Sequence, residues 1–295
     1  TELFDRYIPN VSEVGVFFSP QSYYLAWSQE GTADRIANGI MGYSRALSKC
    51  SIPLVHIEET HLDELDKLKV LFMPRVIVTA PETEEKLIRF VENGGTLVVE
   101  SECGAFSPAG IYRYPEERFL TRLGLTEIGR RNLKSDLPLF RYGGRNFKIG
   151  VEQWHTPIEG DDFCTVKTFG KGKVVYFASY PGNVYRQNWN PDFEELLFAI
   201  IRDSKATLPV TVLSPERGEK DFLYLKSGKS GDKTVLFAFF PPKCDRAEIV
   251  LSDELFPNNR ATELFSNRSV EITPCAECRT MTLLPGKWQL AIYVG

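Results

Sequence analysis

The sequence has no apolar run near the roughly 18 residues that a membrane-spanning helix requires, and its opening stretch, TELFDRYIPN, lacks the charged-then-apolar pattern of a signal peptide. It has no basic block either. The 35 basic residues face 39 acidic ones for a net charge of -4, which gives neither nucleic acid nor an anionic membrane an electrostatic footing as partner. Six cysteines in 295 residues are too few for a disulfide scaffold. Only Cys275 and Cys278 lie close together, in CAEC, and a zinc site there would need two further ligands at comparable spacing. His56, His61 and His155 are the only histidines, and none falls in a Cys/His cluster. The expectation is a protein without metal or other cofactor, in a reducing, cytoplasmic compartment. The numbering opens at Thr1 without a methionine, so the chain is expected to be a mature form, a trimmed form or a fragment, with export left open. No internal repeat and no low-complexity tract is present.

What is present fits a globular protein, with 43% hydrophobic and 25% charged residues in a length that allows two domains. The most informative stretch is PETEEKLIRFVENGGTLVVESECG, Pro81 to Gly104. Leu87, Ile88 and Val91 recur at helical spacing behind Pro81, and Glu82, Glu84 and Glu85 place negative charge at the helix start. Gly94-Gly95 ends the helix, and Leu97 to Val99 reads as a short core strand. Glu13 to Ser19, Ile52 to Glu58 and Val70 to Met73 with Val76 to Val78 read as further strands, separated by helices over Asp34 to Lys49 and His61 to Leu68. Thr165 to Phe169 and Lys173 to Ser179 read as a hairpin, Glu117 to Leu123 as a short helix and Phe193 to Arg202 as a closing one. This alternation predicts an α/β domain, a parallel sheet with helices on both faces, over residues 1–208. Residues 209–295 change character. Seven short β-like runs, Phe222 to Lys226, Thr234 to Phe239, Ala247 to Leu251, Ala261 to Leu264, Ser269 to Ile272, Thr280 to Leu284 and Gln289 to Val294, predict a small antiparallel β-sandwich.

Four segments in this order, VGVFFSPQSYYLAW (Val14 to Trp27, a strand running into an aromatic-rich loop), VENGGTLVVES (Val91 to Ser101), FLTRLGL (Phe119 to Leu125) and GKGKVVYFAS (Gly170 to Ser179), carry a resemblance. The chain resembles the part of a family 42 glycoside hydrolase, the β-galactosidase group, that follows the catalytic barrel: the trimerisation domain and the small C-terminal β domain. The resemblance implies a flavodoxin-like, class I glutamine amidotransferase-like fold for the first domain. It implies a noncatalytic assembly role, in a homo-oligomer or against a catalytic barrel domain. It also implies that the two hydrolytic glutamates, about 5 Å apart in retaining enzymes, belong to a barrel that some 200 residues before a β module cannot hold.

In active relatives of that fold a cysteine sits on the turn after the strand formed here by Leu97 to Val99. Counting from Gly95 without gaps onto the pattern Gly-x-x-x-x-x-x-Cys-His-Gly puts Glu102 at the nucleophile, Cys103 at the His and Gly104 at the Gly, so the expectation is a degenerate corner and no catalytic residue. Shifted by one, Cys103 becomes a candidate nucleophile of a stand-alone amidase or hydrolase, with His155 of VEQWHTPIEG as its base. The orienting acid expected two residues beyond the His is Pro157 here, and Glu159 is four away. Glu100 and Glu102 alternate along the strand and share a face, as a sheet edge or the remnant of a lost site.

Aromatics gather after three predicted strands: Tyr23, Tyr24 and Trp27; Tyr112 and Tyr114; Tyr180, Tyr185 and Trp189, beside Arg186, Gln187 and Asn188. Such a rim serves as an interface, as internal loop packing or as a platform for sugar faces. Trp27, Tyr185, Arg186 and Trp189 are the candidate binding residues, and a free-standing carbohydrate-binding protein is the third reading.

Overall fold

Five short apolar segments, Val14–Phe18, Val55–Glu58, Val70–Met73, Thr96–Glu100 and Gly172–Phe177, pair in parallel. Cys164–Phe169 adds an antiparallel edge strand beside Gly172–Phe177. The spatial order is Cys164–Phe169, Gly172–Phe177, Thr96–Glu100, Val70–Met73, Val14–Phe18, Val55–Glu58. A strand covered on both sides has no solvent face to mark with polar residues, which is why VLFM and TLVVE are buried at every position. On one side Leu71, Met73, Leu97, Val99 and Val174 share a core with Leu87, Ile88 and Val91 of helix Pro81–Glu92. On the other, Tyr43 of helix Asp34–Lys49 packs against Phe72 of the sheet and Phe193 of helix Pro191–Asp203, ring centroids 5.4 and 5.2 Å apart. Helices thus lie on both faces. The computed structural model describes residues 2–133, 137–158, 162–213, 221–275 and 278–295; Glu159, Ala276 and Glu277 lie outside the described residues.

The segment after the first strand departs from expectation. SPQSYYLAW is no loop: Pro20–Glu30 is a helix. Ser19 accepts from the Ser22 N–H as N-cap, Pro20 occupies the first turn, and Gly31 at φ 72° closes the last. Val76 to Val78 does not extend a strand, and Val78 makes only an isolated bridge to Phe106. Between Leu125 and Asp162, where the sequence has no periodicity, two ribbons form: Arg131–Asn132 with Trp154–His155, and Leu139–Tyr142 with Arg145–Lys148.

Chain contacts define two units, residues 13–46 with 54–206, and residues 1–12 with 47–53 and 207–295. The second unit contains two antiparallel sheets that share a core of Leu225, Leu236, Ile249, Met281, Leu283 and Tyr293 among others. All seven β-like runs of residues 209–295 are strands, with Ala247–Leu251 at the expected bounds. One strand of the larger sheet was not legible: Tyr7–Pro9 pairs with Gly228 to Ser230 as its edge. A Cβ at Gly228 would run into the Ile8 carbonyl and the Tyr7 ring, so the edge strand reaches its place only because that position is glycine. Cys275 and Cys278 are disulfide-bonded, Cα atoms 5.0 Å apart, and Cys50, Cys103, Cys164 and Cys244 take part in no disulfide.

Candidate functional site

Strand Thr96–Glu100 delivers the corner Glu100-Ser101-Glu102-Cys103-Gly104 into the interior, and all five residues are buried. Glu102 has φ 59°, the left-handed region, which costs a non-glycine residue roughly 1–2 kcal/mol. Such strain persists where the surroundings over-determine it. Here the Glu102 N–H donates to Glu127 Oε1 at 2.7 Å, the Ala105 N–H to the Glu102 carbonyl at 3.0 Å and the Gly104 N–H to the Val76 carbonyl at 3.0 Å. The sharply turned residue is therefore Glu102, one position ahead of Cys103.

The Glu102 carboxylate is fully engaged. Arg130 grips it with Nε at 2.8 Å from Oε1 and Nη2 at 2.9 Å from Oε2, and Tyr180 Oη donates to Oε2 at 2.8 Å. Planar groups stack around this fork. The Arg130 guanidinium lies 4.2 Å over Trp154, Trp154 meets Tyr180 edge-on at 5.2 Å, and Arg75 lies 4.0 Å over the Tyr180 ring. A bidentate arginine pair commits the oxygen lone pairs that an attack on substrate would use.

Beneath it, Glu127 Oε2 takes Arg118 Nη1, while Glu127 Oε1 also accepts from Tyr176 Oη at 2.7 Å. Both members of this ion pair are almost wholly buried. Ser101 Oγ bonds Thr156 Oγ1, and Thr156 Oγ1 lies 3.1 Å from Tyr176 Oη, which ties the corner to the Trp154–His155 ribbon. Glu100 is held by Tyr43 Oη at 3.1 Å and the Gly182 N–H at 3.2 Å on one oxygen, and by the Arg75 N–H at 2.9 Å on the other.

Burial pushes the Glu100 carboxyl up to about 8, against the Gly182, Arg75 and Tyr43 hydrogen bonds that favour its charged form. A carboxyl whose folded value lies above its ordinary 4.5 binds more protons folded than unfolded between those values. Its contribution to stability is thus complete below 4.5 and declines as pH rises toward 8. Glu100→Gln, which has no proton to lose, is expected to flatten the fall in stability between pH 5 and pH 8 by about 3 kcal/mol, measured by urea melts at the two pH values.

Cys103 lies in the apolar core with Phe119, Leu120 and Leu123. Burial, with Glu127 and Glu84 behind it, pushes its thiol well above the ordinary value. The thiolate is the nucleophile, so this cysteine is held in its unreactive form. His155 is buried, its ring stacked on Phe163 with centroids 4.8 Å apart.

The aromatic rim divides. Tyr24 and Trp27 stand exposed on helix Pro20–Glu30, and Tyr112 and Tyr114 are exposed together, ring centroids 5.7 Å apart. Tyr180 and Tyr185, by contrast, are core residues. Helix Pro181–Gln187 turns Tyr185 inward, where Tyr185 Oη and Trp189 Nε1 both donate to Glu194 Oε1, at 2.5 and 2.7 Å. Tyr185 is thereby corrected from a rim residue to a buried one. Arg186 is exposed outside the cleft that half-buried Trp189 lines and that Trp27 does not reach. Sequence reasoning missed Arg75, Arg118, Glu127, Arg130 and Glu152, the charged partners of the corner. Among the described residues no group of three or more His, Cys, Asp or Glu is placed to hold a metal ion, and no helix is long and apolar enough to cross a membrane.

A parallel sheet with helices on both faces thus ends in a strained, buried, carboxylate-occupied corner. Among solved structures the chain matches glycoside hydrolases in fold. Gan42B, a GH42 β-galactosidase from G. stearothermophilus, superposes with a TM-score of 0.72 at 17% identity, over 97% of this chain and 40% of that one. The β-galactosidase from Bacillus circulans sp. alkalophilus gives 0.71 at 16% identity, over 96% and 41%. Alpha-L-fucosidase isoenzyme 2 from Paenibacillus thiaminolyticus gives 0.62 at 13%, over 97% and 48%. The chain thus spans about 40% of the length of the β-galactosidases it matches. No protein-family model and no curated protein matches the sequence.

Proposed function

We propose that this chain is the noncatalytic assembly portion of a β-galactosidase-like glycoside hydrolase acting in carbohydrate breakdown. The observation that carries this is the fold match over 97% of this chain against 40% of the β-galactosidase. In this reading residues 1–208 are a trimerisation-type domain of flavodoxin-like, class I glutamine amidotransferase-like fold. Residues 209–295 are the C-terminal β domain, whose sheet takes Tyr7–Pro9 as its edge. The hydrolytic glutamates sit on a barrel outside the chain. The corner is a nucleophile turn that has lost its nucleophile: the strained position carries Glu102, locked by Arg130 and Tyr180, and Cys103 lies one residue late with its thiol protonated.

The exposed aromatic face of helix Pro20–Glu30, Tyr24 and Trp27 at 69% and 61% exposure, is the anchor for a neighbouring subunit or barrel. Large exposed aromatics are over-represented among interface anchors. Light scattering on the intact chain is expected to show self-association, or association with a separately made barrel. Trp27→Ala should weaken that association about tenfold or more. A strict monomer that binds no barrel sinks the proposal.

A further inference from the structure

Beside the corner lies a cleft of about 1070 Å³. Its walls come from the start of helix Asp34–Lys49, the segment Ile149 to Trp154, helix Pro181–Gln187 and the turn that follows it. Six of the chain's sixteen asparagine and glutamine side chains line it, with Trp154 and Trp189. We propose that this cleft binds a neutral saccharide.

The chemistry of the walls selects the ligand class. A sugar hydroxyl both donates and accepts, and a side-chain amide offers an acceptor and two donors in one plane. Asn38, Gln153, Gln187 and Asn188 bring four such groups to the cleft. Trp189 gives its single N–H inward to Glu194, so what remains for a ligand is the indole ring, which suits the C–H face of a pyranose. Asn183 is buried, with Nδ2 held by Glu152 Oε1 at 2.8 Å, and Glu152 also takes Arg75 Nη1 at 3.0 Å. Among the described residues its buried Oδ1 accepts from no group, an arrangement rare in native structures.

Charge argues against the alternatives. Arg35 on the rim lies 3.8 Å from Glu30, with Asp34 beside it, and Glu152 is neutralised by Arg75, so the cleft offers little cationic field for a phosphate or polyanion. Its polar lining gives an apolar ligand little to bury against. The volume, just above the usual range for small-molecule sites, accommodates a disaccharide or short oligosaccharide. Every wall belongs to residues 32–193, so binding requires neither a barrel nor a second subunit. The assembly reading and this one therefore fail separately.

The test titrates the intact chain with D-galactose, lactose and cellobiose, with glucuronate and inorganic phosphate as charged probes, followed by tryptophan fluorescence and saturation-transfer NMR. At least one neutral sugar is expected to bind saturably, with a dissociation constant on the order of 1 mM. Gln187→Ala and Asn38→Ala should each weaken it about tenfold in chains whose circular dichroism is unchanged. Lys86→Ala, on the surface of helix Pro81–Glu92 and outside the cleft, should leave it unaltered. Absence of saturable binding by all three sugars, binding of the charged probes alone, or affinity indifferent to Gln187→Ala and Asn38→Ala overturns the proposal.

Discussion

Glu127→Ala is expected to cost about 3–5 kcal/mol of stability, read as a lower urea midpoint at unchanged slope. The loss does not come from the attraction between Glu127 and Arg118 as such, since desolvating two charges offsets much of what their pairing contributes. It comes from what the truncation leaves behind. Arg118 stays buried with its charge uncompensated, and the Glu102 N–H loses the Glu127 oxygen it donates to, while Tyr176 Oη keeps the Thr156 carbonyl at 2.6 Å as acceptor. Removing both charges separates these terms. Arg118→Met with Glu127→Leu should recover a large share of the loss, because no orphaned ion remains. If the double variant is as unstable as Glu127→Ala, the hydrogen bond from the Glu102 N–H outweighs the ion pair.

Gly42→Ala should be nearly as damaging, at about 3 kcal/mol, although alanine is the best helix former and the site lies within helix Asp34–Lys49. A Cβ on Gly42 would overlap the carbonyl oxygen of Gly182, and a Cβ on Gly182 would in turn overlap the Tyr43 ring. These are backbone contacts that no rotamer change relieves, so the two helices have to separate. Separation also withdraws the Gly182 N–H from Glu100 Oε1. Helix propensity alone predicts stabilisation of up to about 1 kcal/mol, so the sign of the measured change decides which effect governs. A thermal melt suffices to read it.

The parallel core was legible because its strands announce themselves twice, by continuous apolar character and by the amphipathic helices between them. The helix Asp34–Lys49 falls at the expected bounds for that reason. The corner was legible as far as counting goes: a gapless count places Glu102 at the position that proves to be strained. What locks it was not. Glu127 and Arg130 lie in a stretch without periodicity, and a buried carboxylate and its distant arginine leave no local signature in either segment. The aromatics of YPGNVYRQNW were visible but not their directions. Tyr185 in helix Pro181–Gln187 and Trp189 just past its end converge on the same Glu194, with the first ring buried and the second half-buried at the cleft.

The edge strand Tyr7–Pro9 has a consequence for how such a module is inherited. A recombination event that exchanged residues 209–295 as a block would transfer a sheet stripped of its border. The main-chain groups of Tyr224–Ser230 that Tyr7–Pro9 covers would then face solvent, open to pairing with any other extended chain. Shuffling that preserves solubility has to move residues 7–9 together with the C-terminal strands, although more than 200 positions separate them in sequence. Gly228 marks the join: a β-branched residue there would leave the border strand nowhere to lie.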